Sequence, residues 1–363
     1  MGKINIALAG VGNCASALLQ GIEKYRNHPK DLNGLMNSQV GGYKPGDIQV
    51  VAAFDVDYRK VGKPLKEAAF APPNCAASIY QTIPDYPVEV QMGPIMDGVA
   101  EHMEEYPEER SFVPANREPC WVSEELKKSG ADLLILYLPV GSEQAARFYA
   151  EACLEAGVGL INAIPVFIAS REEWAHLFAE QNLPLVGDDV KGQIGATVLH
   201  RALARLFEDR GISLERTYQL NFGGNTDFLN MLNLDRVNTK KKSKTQAVQA
   251  ELGQPLPEVN IHIGPSDYIP WLQDRKVCHI TMEGRGFGDV PVSMELKLTV
   301  EDSPNSGGVM IDAIRCCKLA QDRGVGGVLS SISAYTMKSP PQQYTDGEAL
   351  RMVSQFIEGE RER

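Results

Sequence analysis

The stretch that most constrains the fold is a strand near the start of the chain that runs directly into a glycine turn. Ile4-Asn5-Ile6-Ala7-Leu8-Ala9 is short, apolar and bounded by glycine, the pattern of a strand buried in a parallel sheet. Gly10-Val11-Gly12-Asn13-Cys14-Ala15 follows, and Ser16 to Glu23 then shows helical spacing. A G-x-G-x-x-A run between strand and helix has a specific physical use. Gly10 makes the tight turn, Gly12 lets a pyrophosphate approach the backbone, and Ala15 lets helix and strand pack closely. The free amides and positive dipole of the helix N-terminus suit phosphate. Gly10, Gly12, Asn13 and Cys14 are therefore candidate contacts to a dinucleotide.

The second strand supports this reading. Ile48 to Phe54 ends in Asp55, the position from which a carboxylate can bond a ribose diol and repel a 2′-phosphate. NAD is favoured over NADP. The interval to Asp55 is longer than usual because Arg26 to Asp47 reads as an inserted loop rich in Gly, Asn and Pro. Residues 60–120 read as an irregular segment on the cofactor side. Regular alternation then returns: helix 121–129, strand 131–138, helix 143–156, strand 158–162, helix 171–181 and strand 183–186. Strand 131–138 ends in Pro139-Val140-Gly141-Ser142, where loops of such sheets meet ligand. Tyr149 falls within reach of the cofactor, although a helical tyrosine also suits a core.

Strand 183–186 terminates in Gly187-Asp188-Asp189-Val190-Lys191-Gly192-Gln193. Two carboxylates, a lysine and small residues ahead of a helix from about Ile194 to Glu208 make a ligand rim whose dipole suits a phosphate. Either aspartate could instead be an N-cap. Beyond it, Thr217 to Phe222, Val259 to Ile263, Val277 to Met282 and Val290 to Val300 read as strands. The last alternates Val292, Met294, Leu296, Leu298 and Val300 with Ser293, Glu295, Lys297 and Thr299, as expected of a sheet with one covered face and one polar or partner-facing side. Between these strands lies Thr239-Lys240-Lys241-Lys242-Ser243-Lys244-Thr245, four ammonium groups within five residues of a chain with formal net charge −11. If that segment is helical, Lys240 and Lys244 project from one face toward something anionic. The expected architecture is α/β: a Rossmann-like, doubly wound NAD-binding domain over 1–190, completed by 306–363, with an inserted α+β catalytic and oligomerisation domain over 191–305.

At 363 residues the chain suits two domains. Lys+Arg 36 against Asp+Glu 47 excludes a broad basic face for nucleic acid or anionic membrane. No uncharged apolar run approaches membrane-spanning length. Seven scattered cysteines without a C-x-x-C pair fit a reducing cytoplasm. The six histidines lack ligand spacing, which argues against a His/Cys zinc site.

Taken together, these stretches resemble myo-inositol-1-phosphate synthase of the shorter prokaryotic type. The resemblance runs from Ile4 to about Pro341. It rests on Gly10–Ala15, Gly187–Lys191, Asn221–Asn230, Lys240–Thr245, Gln273-Asp274-Arg275-Lys276, Glu301–Asn305 and Met337-Lys338-Ser339-Pro340-Pro341. It implies conversion of D-glucose 6-phosphate to 1L-myo-inositol 1-phosphate by C5 oxidation, enolisation, intramolecular aldol closure and reduction, with NAD regenerated in each cycle. It further implies that Lys240, Lys276 and Lys338 surround the reacting carbons and that Asp189, Asp227 and Asp302 orient lysines or the nicotinamide end. Lys244, Lys191, Gln193, Asn225 and Thr226 are expected at the phosphate or nicotinamide site. Pro139, Gly192, Asp189, Asp227 and Lys240 are expected beside the cofactor. Lysines depressed by burial and by neighbouring cations could move protons. A mono- or divalent cation at Asp302 and Ser303 and a homotetramer are also expected. Two other readings stay open: an NAD-dependent dehydrogenase of a phosphorylated sugar or polyol, and a non-enzymatic NAD-sensing regulator.

Overall fold

The computed structural model describes residues 2–233, 245, 247–264 and 267–363. Its larger sheet is built from β1 (Ile4–Ala9), β2 (Ile48–Asp55), β3 (Gln91–Met92), β4 (Leu133–Leu136), β5 (Gly159–Asn162) and β6 (Pro184–Val186). The second sheet follows, with β7 (Ser213–Gly223), β8 (Ile261–Ile263), β9 (Asp267–Tyr268), β10 (Arg275–Arg285) and β11 (Pro291–Glu301). A last strand, β12 (Gly327–Val328), returns to the first sheet, whose order is β12-β6-β5-β4-β1-β2-β3. Its strand pairs are all parallel. Strand order reverses between β1 and β4, so the loops leaving these two strands part and open a crevice at their C-terminal ends.

The short parallel strands are apolar because helices cover both faces of the sheet. Ile4, Ile6, Leu8, Ile135 and Ile161 pack on one side with helices Asn13–Asn27 and Asp302–Asp322; Ala7, Leu134, Leu136 and Leu160 pack on the other with helices Val122–Ser129, Glu143–Ala156 and Glu172–Glu180. Removing each such leucine or isoleucine side chain from water contributes about 2 kcal/mol.

The second sheet runs β11-β10-β7-β8, with β9 also beside β7. β10 is antiparallel to both β11 and β7 over long registers, unbroken with β11 and shifted with β7 between Glu283 and Gly284. Val292, Met294, Leu296 and Leu298 of β11 are half-covered on the side of the second core, while Ser293, Glu295, Lys297 and Thr299 are exposed. That is the alternation anticipated from the sequence.

Two sequence expectations need correction. Helix Asp302–Asp322 starts directly at the end of β11, because Pro304 sits in a first turn where its missing N–H is tolerated. The anticipated junction at 305/306 thus falls inside a helix. A C-terminal helix, Asp346–Glu358, was not anticipated. Its signals were present: Thr345 accepts from the amide of Glu348, a capping-box arrangement, and Ala349, Met352, Val353 and Phe356 form its buried stripe.

Candidate active site

The cleft begins with the turn after β1. Gly10 has φ +94°, and a Cβ there would lie 2.5 Å from the carbonyl oxygen of Tyr137, so β1 and β4 approach closely only through glycine. The next peptide is held from both ends. The Val11 amide donates to Asp55 Oδ2 at 2.7 Å, while the Val11 carbonyl accepts from Lys60 Nζ and Asn74 Nδ2, each at 2.9 Å. A Cβ on Gly12 would meet nothing within 4 Å. The first intrahelical bond runs from Ser16 to Gly12, so the preceding amides have no acceptor within the helix. An open, amide-lined cradle results, which fits a dinucleotide pyrophosphate. Gly12, Asn13 and Cys14 line it.

Asp55 occupies the expected strand end, but its carboxylate is turned toward backbone. Besides the Val11 amide it accepts from those of Val56 and Asp57, so it braces the glycine turn instead of lining the cleft. Tyr149 belongs to the core: it is buried against Phe54 and Phe148, and its hydroxyl fills the space over Gly93.

Across the crevice stand Tyr137 to Val140 after β4, Ala163 to Pro165 after β5, and Asp189 to Val190 after β6. The adjacent aspartates of that last turn have separate tasks. Asp188 is fully buried and accepts from the amides of Ile168, Ala169 and Ser170, the hydroxyl of Ser170 and the amide of Asn162. Burial pushes its carboxyl up to about 6 against those bonds. Asp189, at φ +66°, turns toward the cleft, and Lys338 Nζ donates to its Oδ1 at 2.7 Å. The Lys338 amide also donates to the Asp189 carbonyl at 2.7 Å, so backbone and side chain hold the pair together.

The second sheet supplies the opposite wall. Lys276, at the start of β10, pairs with Asp302 at 3.0 Å. Burial pulls the Lys276 ammonium down, but the adjacent Asp302 carboxylate more than offsets it, so its net displacement is upward. This corrects the expectation of a lysine depressed by burial. Lys276 is held as a cation, suited to a developing oxyanion.

Asn225 caps the short helix Thr226–Asn230 by accepting from the amides of Asp227 and Phe228. Asp227 reaches over to the other wall, where its Oδ1 accepts from the Val140 amide at 3.4 Å. Asn225, Thr226, Asp227, Gly192, Pro139, Asp189, Lys276, Asp302, Ser303 and Lys338 all border one cleft. Lys240 and Lys244, with Lys241 and Lys242 between them, lie outside the described residues.

Two anticipated substrate contacts point elsewhere. Lys191 is buried, and its Nζ donates to Asp346 Oδ1 at 3.0 Å and to the Ala334 carbonyl at 2.8 Å. Gln193 donates to the carbonyl of Gly34. At the anticipated cation site, Asp302 engages Lys276 and the Ser303 hydroxyl donates to Asp274 at 2.8 Å. No group of three His, Cys, Asp or Glu suited to a metal occurs among the described residues.

Sequence reasoning passed over two residues of this wall. Asp274 accepts from Asn225 Nδ2 at 2.9 Å and from both the amide and hydroxyl of Ser303. It thereby ties the start of one helix to the start of another. Burial pushes its carboxyl up to about 7. Asn221 borders the cleft on β7, and its buried Nδ2 has no hydrogen-bond partner among the described residues, a donor left for a ligand. Both lie in stretches that carried the resemblance, but only the fold shows that Asn221 borders the cleft and that Asp274 braces the wall from within. Cys14 stays a thiol: burial, then Asp274 and Asp302, push it up to about 12.

Residues 195–303 match the family model described as myo-inositol-1-phosphate synthase. The inositol-3-phosphate synthase of Mycolicibacterium smegmatis is 50% identical over 99% of both chains. That of Corynebacterium glutamicum is 49% identical over 98% of each. Among solved structures, a myo-inositol-1-phosphate synthase-related protein from Thermotoga maritima superposes with a TM-score of 0.82 over 98% of both chains, at 23% identity, and thus shares the fold. With half of its residues identical along nearly the full length of such a relative, this chain belongs to the inositol-3-phosphate synthase family.

Proposed function

We propose that the protein converts D-glucose 6-phosphate to 1L-myo-inositol 1-phosphate, using NAD catalytically. The observation that carries this reading is the convergence of two lysine–carboxylate pairs, Lys338–Asp189 and Lys276–Asp302, on the cleft that the glycine turn opens. A simple dehydrogenase needs one proton acceptor beside its cofactor. Oxidation, enolisation, aldol closure and reduction need several, because negative charge develops successively on different oxygens.

NAD supplies the oxidation at C5 and reverses it in the last step. Gly12, Asn13 and Cys14 would hold its pyrophosphate, and Pro139 and Asp227 would border its nicotinamide end. Lys338, as the neutral amine, takes the proton of the C5 hydroxyl, with Asp189 accepting from its Nζ and setting its direction. Lys276, kept cationic by Asp302, stabilises the ketone and enolate oxygens. Lys240 shares that task, Lys244 binds the phosphate, and Asn225, Thr226 and Asn221 complete the polar wall. The reading carries no metal-dependent step.

We further propose a homotetramer in solution, assembled through the exposed face of the second sheet. Phe287, Val290, Trp271 and Val259, at the edges and turns of that sheet, are strongly exposed, which fits a face that meets another copy. Light scattering on the purified protein reads the assembly directly.

Incubation with glucose 6-phosphate and substoichiometric NAD tests the reaction. The expected outcome is inositol phosphate in large excess over NAD with no net NADH. NADH accumulating in step with substrate loss, without a cyclised product, would instead establish the dehydrogenase.

A further inference from the structure

Lys191 is left without a task by the proposed reaction, yet it is a buried cation. It belongs to a charged cluster beneath the cleft. Arg201, on helix Ala196–Asp209, is 1% exposed. Its Nε donates to Asp346 Oδ2 at 3.1 Å, Nη2 to the Tyr344 carbonyl at 2.6 Å, and Nη1 to the Ala247 carbonyl at 2.5 Å and to Gln343 Oε1 at 3.4 Å. Nη2 also contacts Glu251 at 2.5 Å. Asp346 is shared between Arg201 and Lys191, so two cations face two carboxylates.

What this cluster holds sets it apart from a random ion network. Gln343 Nε2 donates to the carbonyl of Lys338 at 2.7 Å. The Lys191 amide donates to the Thr336 carbonyl, and its ammonium to that of Ala334. The segment bearing Lys338 is thereby gripped on both sides of that lysine. The same guanidinium also fixes the backbone at Ala247, on the far side of the cluster. Buried ion clusters are poor sources of net stability compared with apolar packing. A planar fork with five donors, however, can set several segments in one geometry, which an aliphatic side chain or a lysine cannot.

We propose that Arg201, with Lys191, Asp346 and Gln343, is a positioning cluster that aligns the segment carrying Lys338 with the cleft. The inference rests on the reaction proposed above. None of the four touches the reacting atoms; they act through the backbone of the residues that do.

Arg201→Lys keeps the charge and removes the fork. It is expected to lower kcat at least tenfold while the Kd for NAD changes less than twofold, since the glycine turn is untouched. Hydrogen–deuterium exchange is expected to quicken in peptides covering 335–346 and 245–252 and to stay unchanged in those covering 4–30. A folded Arg201→Lys protein with unaltered kcat and exchange would overturn the proposal. If that variant does not fold, Gln343→Ala severs only the link to the Lys338 carbonyl; it is expected to lower kcat severalfold and quicken exchange at 335–346, and unchanged values of both overturn the proposal. Absence of inositol phosphate with the unaltered protein would instead fault the proposed reaction, and the exchange measurement would still decide whether the cluster orders these segments.

Discussion

Replacing Asp302 by Asn separates two possible tasks for Lys276. The pair stands at 3.0 Å with both side chains mostly shielded from water. At that distance, in an effective dielectric of about 20, opposite charges attract by roughly 5 kcal/mol, and partial solvent access cuts this by about half. The loss of the carboxylate therefore lowers the Lys276 ammonium. The sign follows from its causes: burial pulls Lys276 down, and Asp302 is the main group pulling it up. If Lys276 works as a cation, the alkaline limb of kcat/KM moves toward neutrality in Asp302→Asn, and activity at alkaline pH falls. If it works as a neutral base, activity at neutral pH rises instead. The assay is a pH–rate profile over inositol phosphate formation, with the melting temperature checked at each pH. An unmoved alkaline limb in a folded variant would refute the reasoning.

Three further outcomes are expected. Gly10→Ala places a Cβ 2.5 Å from the Tyr137 carbonyl at φ +94°, so NAD binding measured by fluorescence should weaken at least tenfold, and unchanged affinity would remove the cradle from the account. His200 is buried between Gln219 and Thr217, and burial lowers it from 6.5 to about 4. A depressed histidine lends stability above its unfolded value that is lost as pH falls toward the folded one, here about 3 kcal/mol between pH 6.5 and 4; urea titrations should show that part of the slope vanish in His200→Gln. Asp274→Ala orphans the Asn225 amide and the Ser303 hydroxyl, which should cost about 2–4 kcal/mol, and a double-mutant cycle with Asn225→Ala should show coupling above about 1 kcal/mol.

What was legible in the sequence was local. Gly10 to Ala15 names its own turn because glycine and helix spacing are written side by side, and the parallel strands announce themselves as unbroken apolar runs. Lys276, Lys338, Asp189, Asp227 and Asp302 were selected by resemblance, and the fold brings all five to one cleft. The errors arose where long-range burial decides. Lys191 follows Asp189 by two residues, yet its partner Asp346 lies 155 positions away, and nothing local reveals that pairing. Asp188 and Asp189 are chemically alike, and only the positive φ of the second turns it to the cleft. Asp55 stood at the right strand end, but the amides of Val11, Val56 and Asp57 converge on it. Tyr149 fell to the core because Gly93 leaves room for its hydroxyl.

The central claim is that one cleft removes hydrogen from C5 and later returns it to the same carbon, with proton transfers by Lys338 and charge stabilisation by Lys276 in between. Glucose 6-phosphate deuterated at C5 tests this most directly, with product and nicotinamide analysed by mass spectrometry and NMR. The account predicts inositol phosphate that retains the deuterium at the carbon derived from C5, with none in released NADH. Deuterium found in free NADH or in solvent, or absent from the cyclised product, would contradict it.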